Sequence, residues 1–170
     1  MPDDDASAEL YEMAIRILAE AGWLHYEVAN WTTKPVYASR HNMQYWRNGD
    51  FLGIGAGAHG TVQGARTMNH LLPETYCRAI ESGEAASSNR ETINGPVAEA
   101  ETMMLGLRLL EDGVNRTAFQ NRHGRSIDDA YGDTVSVLAG NGLLIDADGQ
   151  VKLTHQGLML ANDVAARFLP

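Results

Sequence analysis

The chain has 170 residues, of which 44% are apolar and 21% are charged, and its formal net charge at pH 7 is −9. This composition is typical of a soluble globular protein, and the length is enough for one domain or two small ones. The negative charge disfavours a nucleic-acid partner, because phosphate binding requires clustered Lys and Arg side chains. No apolar run approaches about 18 residues, so the sequence predicts no membrane span.

The N-terminus and the cysteine content restrict the chain further. The segment MPDDDASAE is acidic and lacks the apolar core of a secretory signal, so a cytoplasmic location is expected. Cys77 is the one cysteine, which excludes an internal disulfide and a cluster held by several thiolates of this chain. Because Cys77 lies in a predicted helix, it is expected to be a small buried residue without a functional role.

The first predicted elements are a helix and a strand. Residues 3–22 predict an amphipathic helix, with Asp residues at its start, Leu10, Ile15 and Leu18 in its apolar stripe, and Gly22 at its end. The segment HYEVANW that follows predicts one short strand. A helix followed by a strand is half of a βαβ repeat, so this strand is expected to have an open edge that favours dimerisation unless another part supplies its partner.

The most unusual stretch is HNMQYWRNGDFLGIGAGAHG, residues 41–60. From Gly53 to Gly57 a glycine occupies every second position, and the residues between are apolar. This alternation predicts a strand with one bare face, which would let a ligand or another backbone approach closely. The sequence therefore predicts a site floor here, and a tightly packed strand is the structural alternative.

The charge is unevenly distributed around this stretch. Between residues 31 and 70 there are four cations and one acid, a net charge of 4 − 1 = +3, so the rest of the chain carries −12. An anion would be drawn to this window, although exposed and merely solvated cations are the alternative. The cations are Lys34, Arg40, Arg47 and Arg66.

Beyond Gly60 the chain predicts a strand, a helix over residues 73–82 and then a second unit. Residues 84–95 are small, polar and glycine-bearing, so they are interpreted as a linker between a unit over 1–83 and a unit over 96–170. The second unit predicts helices over 97–113, 114–124 and 126–142, two strands around Asp148 and Gly149, and a last helix capped by Thr154. Three helices and a hairpin predict a winged-helix-like module.

Winged-helix modules often bind DNA, which gives a competing function of another class. From residue 96 to residue 170 there are six Lys or Arg and ten Asp or Glu, a net charge of −4. This charge argues against DNA, and we expect no nucleic-acid partner.

The stretch 41–60 resembles the segment that follows the radical-SAM barrel in the HemW heme chaperones, which are related to oxygen-independent coproporphyrinogen III oxidase. HYEVANW, MMLGLRLLEDGV and LTHQGLMLANDV are similar to further segments of the same family. The family's cluster motif, C-x-x-x-C-x-x-C, is missing. The chain is therefore identified as a C-terminal part of such a protein, with an α+β fold that combines the end of a radical-SAM partial barrel (1–83) with a mainly helical module (96–170).

The resemblance implies a heme chaperone that passes heme to an unknown acceptor protein. The residues implied in heme binding are Arg40, His41, Asn42, Tyr45, Trp46 and Arg47, with His41 as the ligand of the iron. The residues implied to line the S-adenosylmethionine region are Gly55, Gly57, Ala58 and His59. S-Adenosylmethionine and a [4Fe-4S] cluster are implied for the full-length family only.

Several alternatives stay open at the level of sequence. Without the resemblance, the favoured explanation of His41 is a histidine at a strand end that hydrogen-bonds to the backbone, because spacing alone does not identify a metal site. Coproporphyrinogen III oxidation is the alternative activity within the family, and a truncated or split, non-catalytic partner of the barrel half is a third interpretation. Without the cluster cysteines, this chain alone is not expected to be catalytic.

Overall fold

The computed structural model describes residues 3–170. Its first part alternates short helices with two small antiparallel sheets. In chain order the elements are α1 (Asp4–Glu20), β1 (Leu24–Glu27), β2 (Asn30–Thr32), a 3-10 helix (Pro35–Tyr37), α2 (Arg40–Trp46), β3 (His59–Val62), β4 (Ala65–Asn69), α3 (Pro73–Ser82) and β5 (Ser87–Thr92).

The predicted first helix is confirmed by α1. The Asp3 carboxylate caps it by accepting a hydrogen bond from the Ala6 N–H at 2.8 Å, and Gly22 follows its end with φ +78°. Leu10 on this helix is 55% exposed, whereas Ile15 and Leu18 are half-buried. The predicted apolar stripe is therefore only partly covered by the described residues.

The segment HYEVANW forms a hairpin of β1 and β2, so the prediction of one strand is wrong. The two strands pair antiparallel, and the turn between them is closed by the buried Glu27 carboxylate, which accepts from the Ala29 N–H at 3.0 Å and from the Asn30 side chain. A carboxylate that bonds the backbone two residues ahead stabilises a turn, and this local bond is what breaks the strand.

The glycine run is a loop, so the predicted strand over 52–58 is also wrong. Gly55 and Gly57 adopt φ of +104° and +69°, which no regular strand accommodates, and regular pairing begins only at His59. The following strands form a sheet in the order β3-β4-β5, with antiparallel pairing throughout.

Residues 84–95, interpreted as a linker, contain β5. This strand pairs with β4 from Ala65 opposite Thr92 to Asn69 opposite Ser87. Cys77 on α3 is exposed, which contradicts its predicted burial. Its position on the outer side of a short helix explains the difference, because Ala79 is the residue of α3 that is buried.

The second part, the winged module over residues 95–170, has winged-helix topology. Its elements are α4 (Gly95–Gly106), β6 (Val114–Asn115), α5 (Arg116–His123), α6 (Ile127–Gly140), β7 (Leu144–Ala147), β8 (Gln150–Leu153), α7 (His155–Met159) and α8 (Ala161–Ala166). The sheet order is β6-β8-β7. The predicted hairpin is confirmed, with Asp148 and Gly149 at φ +54° and +74° in its turn.

Three predicted helices of this part are shorter than expected. The first ends at Gly106, the second begins with strand β6, and the last is divided into α7 and α8 near Leu160. Thr154 caps α7 as predicted, accepting from the Gly157 N–H at 2.8 Å. The core lies between α4, α5, α6, the C-terminal segment that contains α8, and the sheet. Its buried residues are Met103, Leu107, Val114, Phe119, Ile127, Val135, Leu138, Leu144, Val151, Leu153, Val164 and Phe168.

The two parts contact each other along the end of α4. The Val28 N–H donates to the Arg108 carbonyl at 3.0 Å, and the Leu110 N–H donates to the Tyr26 carbonyl at 3.2 Å. Arg66 of β4 forms an ion pair of 2.7 Å with Glu101. The predicted α+β class is thus confirmed, with these contacts joining a helix and sheet layer to the winged module. No helix within residues 3–170 is long and apolar enough to cross a membrane.

Candidate functional site

Helix α2 carries the predicted heme-binding residues. Its start is fixed by Ser39, whose hydroxyl accepts from the Asn42 N–H at 3.3 Å, and its end by Asn48, which adopts φ +50°. The helix has only seven residues. It therefore places the predicted residues close together in the chain but on different faces.

One face of α2 carries an aromatic row. The His41 and Tyr45 rings meet edge to face with centroids 4.8 Å apart, and Tyr45 meets Phe51 in the same way at 4.5 Å. His41 is exposed, whereas Tyr45 and Phe51 are half-buried. This face can present an imidazole to a ligand beside apolar ring surface.

A different face of α2 carries Trp46. The Arg108 guanidinium carbon lies 4.4 Å from the centre of the Trp46 ring, a cation–π contact between α2 and the winged module. The Trp46 Nε1 atom is buried and has no hydrogen-bond partner among the described residues. Helical geometry turns consecutive residues by about 100°, so Tyr45 and Trp46 do not share a face.

The two predicted arginines differ in their surroundings. Arg47 forms an ion pair of 2.9 Å with Asp112 of the winged module, and both side chains are at least half exposed. Arg40, at the start of α2, is exposed. Together with the Arg66 pair to Glu101, this means that two of the four cations predicted to attract an anion already face a carboxylate.

The glycine loop is fastened by a residue that the sequence did not reveal. Asn69 is 6% exposed, and its side-chain amide donates to the Gly53 carbonyl at 3.1 Å and to the Gly55 carbonyl at 2.9 Å. The Tyr76 hydroxyl accepts from the Gly55 N–H at 3.2 Å. These bonds connect positions 14 to 21 residues apart, and no local pattern signals such a distance.

The glycines of this loop have two different roles. A Cβ atom at Gly53 would lie 2.4 Å from the His59 carbonyl oxygen, so close packing requires this glycine. A Cβ at Gly55 would meet nothing within 4 Å, so that backbone is open to approach. His59 is exposed at the start of β3, and Ala58 is half-buried.

A second cluster, also not predicted, lies between α1 and the first hairpin. The His25 ring stacks on Trp31 with centroids 4.1 Å apart, and the Tyr11 hydroxyl donates to the Val28 carbonyl at 2.5 Å. Burial, reinforced by the nearby Glu27 carboxylate, raises the pKa of Tyr11 to about 12, and burial lowers the pKa of His25. These groups are held by packing and serve to join α1 to the hairpin.

A cleft of 710 Å³ opens where α2 meets the winged module. Trp46 and Arg47 form its α2 side, and residues from α4, β6 and α5 form the other. The predicted heme-binding set is thus divided: His41 and Tyr45 belong to the aromatic row, and Trp46 and Arg47 line the cleft.

The comparisons with known proteins give the family. Residues 98–160 match the family described as the HemN C-terminal domain. Over 99% of its length the chain is similar to heme chaperone HemW of Bacillus subtilis, at 36% identity, and to heme chaperone HemW of Escherichia coli, at 30% identity. It covers 44% of each of these proteins, so it spans less than half the length of the curated relatives it matches.

A solved structure shows the same fold. It is that of coproporphyrinogen III oxidase (HemN) from Escherichia coli, a radical SAM enzyme. The alignment covers 98% of this chain and 42% of that protein, at a TM-score of 0.66 and 13% identity. At that identity the likeness shows the fold alone. The resemblance found in the sequence is confirmed: the chain is HemW-like and corresponds to the C-terminal part of that family, with the HemN C-terminal domain over residues 98–160.

Proposed function

We propose that this chain is the heme-contacting C-terminal part of a heme chaperone, which holds heme as cargo for transfer to an acceptor protein. Relatives that are named heme chaperones match 99% of the chain at 30% to 36% identity, which supports this function over coproporphyrinogen oxidation and over a purely structural partner. The observation that carries the proposal is the exposed His41 ring at the end of the aromatic row on α2.

The chemistry of α2 suits a ferric porphyrin. Imidazole side chains bind heme iron in proteins, His41 supplies one, and the Tyr45 ring beside it offers apolar surface. Arg40 is an exposed cation next to His41 in the chain and can pair with a propionate. Asn42 contributes through its backbone, which anchors the start of the helix on Ser39.

The S-adenosylmethionine and [4Fe-4S] cofactors are proposed for the complete protein only. A cluster of this kind is held by several Cys thiolates, and this chain contains Cys77 alone. Residues 3–170 also contain no group of three or more His, Cys, Asp and Glu side chains able to hold a metal ion. The residues present do not fit the cluster, and another part of the protein would have to supply its ligands.

The glycine loop remains our proposal for the S-adenosylmethionine region. Gly55 offers open backbone, and Gly57, Ala58 and His59 continue the same loop towards β3. A backbone without Cβ atoms lets a ligand approach its amide groups closely.

A cytoplasmic location and a dimer also remain predictions.

Charge placement supports the expectation that DNA is not the partner. In a winged helix the recognition element is the third helix, here α6. This helix carries Asp128, Asp129 and Asp133 and has no Lys or Arg. Phosphate groups would be repelled from it.

A hemin titration followed in the Soret band tests the proposal. Replacing His41 by Ala should weaken hemin binding by at least ~10-fold, or about 1.4 kcal/mol, because the iron loses its protein ligand. His70→Ala is the matched control and should leave the affinity unchanged. Equal affinity in wild type and His41→Ala contradicts the assignment, and loss in His59→Ala instead would move the ligand to the glycine loop.

A further inference from the structure

The cleft between α2 and the winged module has the properties of a small-molecule site. Its floor consists of core residues, since Leu109, Val114 and Phe119 are at most 4% exposed and line it from below. Trp46 forms one wall. A volume of 710 Å³ lies within the range of about 300–1,000 Å³ that is usual for ligand pockets, and such pockets are mainly apolar with a few polar groups.

The polar groups of the cleft include two cations. Arg47 and Arg122 both line it, one from α2 and one from α5. Arg122 is exposed and forms no ion pair with another described residue, whereas Arg47 is held by Asp112. A guanidinium binds a carboxylate through parallel hydrogen bonds, so a ligand with carboxylate arms could pair with Arg122 and compete with Asp112 for Arg47.

The described residues that line the cleft supply no side chain that could bind a heme iron. Among the described residues that line it there is no His, Cys, Met or Tyr, the side chains that hold heme iron in proteins. A porphyrin could be bound here only through its faces and its propionates. This differs from the aromatic row, where His41 would bind the iron.

We propose that the cleft is a second porphyrin site, which binds the macrocycle without regard to the metal. The inference rests on the proposed heme chaperone function and names a separate place for its cargo. The ring packs against the apolar floor beside Trp46, and a propionate pairs with Arg122 or Arg47. A site without an iron ligand leaves the iron free to be bound by an acceptor protein.

Metal-free protoporphyrin IX is the probe that separates the two sites. Its binding to the full chain is followed by the anisotropy of the porphyrin's own fluorescence. Ala118→Trp introduces a bulky side chain at an exposed position of the cleft wall and should weaken binding by at least ~10-fold. Gln120→Trp places the same side chain at an exposed position of α5 that does not line the cleft, and it should have no effect.

Two changes of charge give opposite expected results. Arg122→Gln should weaken protoporphyrin binding by about threefold, and Asp112→Asn should strengthen it by a similar factor, because Arg47 is released for the ligand. Arg167→Gln removes an exposed cation outside the cleft and should change nothing. All of these positions are exposed, and equal melting temperatures would confirm that each variant folds.

The outcomes distinguish this proposal from the one on which it rests. If His41→Ala weakens hemin but not protoporphyrin binding, and the cleft variants weaken protoporphyrin binding, both proposals hold. If hemin binding depends on His41 while the cleft variants bind protoporphyrin like wild type, the cleft proposal is overturned and the heme function stands. If His41→Ala abolishes protoporphyrin binding, the two sites are one and the cleft proposal is also overturned.

Discussion

The two parts of the molecule are held together in different ways. All members of the hydrophobic core found among the described residues lie in the winged module, between Met103 and Phe168. In the first part the buried apolar residues are Ala65 and Ala79, and the other buried side chains there are polar: Glu27, Thr32 and Asn69. The first part is thus organised by hydrogen bonds and by its contacts with α4.

Because of this difference, the residues that stabilise the fold and the candidate functional residues lie mostly in different parts of the chain. A region with few buried apolar contacts opens at low free-energy cost, which suits a segment that must admit and release a ligand. The aromatic row, the glycine loop and the α2 side of the cleft all belong to that region. The winged module supplies the rigid surface against which they lie.

The largest expected effect is on isolated pieces. Residues 96–170 should unfold cooperatively by themselves, because the whole core cluster lies within them. Residues 1–83 should not, because β4 loses its partner β5 and the first hairpin loses its contacts with Arg108 and Leu110. Thermal unfolding followed by circular dichroism tests both pieces. A cooperative melt of monomeric 1–83 would contradict the conclusion that the first part depends on its contacts with the winged module.

A cavity in the core should have the next largest effect. Phe168 is 1% exposed, so Phe168→Ala should lower the free energy of unfolding by about 3–5 kcal/mol. Leu52 in the glycine loop is 78% exposed, and Leu52→Ala should cost less than about 0.5 kcal/mol. Urea unfolding of the two variants measures the contrast directly. Similar losses in both would show that the loop is packed as firmly as the core.

The winged module was predictable because its signals are local. The Asp148–Gly149 turn and the Thr154 cap each act within a few residues, and both are found where the sequence placed them. The α4 end was misplaced because apolar spacing continues to Leu110, whereas the backbone leaves the helix after Gly106.

The position of the candidate site in the chain was predictable from the sequence, but the arrangement of its residues in space was not. Alternating glycines have the period of a strand, and the bonds from Asn69 that hold them in a loop come from another strand. The heme-binding residues were expected to surround one ligand because they are adjacent in the chain. A helix over Arg40–Trp46 divides them between two faces, which spacing alone does not show unless the helix is known.

Removing the bonds of Asn69 should have an intermediate effect. Asn69→Ala leaves the Gly53 and Gly55 carbonyls without this donor and should lower the free energy of unfolding by about 1–3 kcal/mol. Asn89→Ala on β5 changes an exposed amide and should be nearly neutral. Hydrogen exchange of the glycine-loop amides should also be faster in Asn69→Ala. If exchange and stability match those of Asn89→Ala, the loop is held by something other than Asn69.

The smallest expected effect is a pH dependence that comes from His25. Burial against Tyr11 and Trp31 lowers the pKa of this imidazole below its ordinary value of 6.5. As the pH falls below about 6.5, the unfolded chain therefore binds a proton at His25 that the folded chain resists, and stability present at higher pH is lost.

His25→Phe keeps a ring on Trp31 but cannot titrate. It gives up the contact of the His25 Nε2 atom with the Val28 carbonyl, so its stability at any one pH is not the relevant comparison. The relevant quantity is the change in urea midpoint between about pH 7.5 and about pH 5.5, which should be smaller in His25→Phe than in wild type. His123, whose pKa burial also lowers, titrates in both proteins and cancels from the difference. Equal changes in the two proteins would mean that His25 is protonated as easily in the folded chain as in the unfolded one.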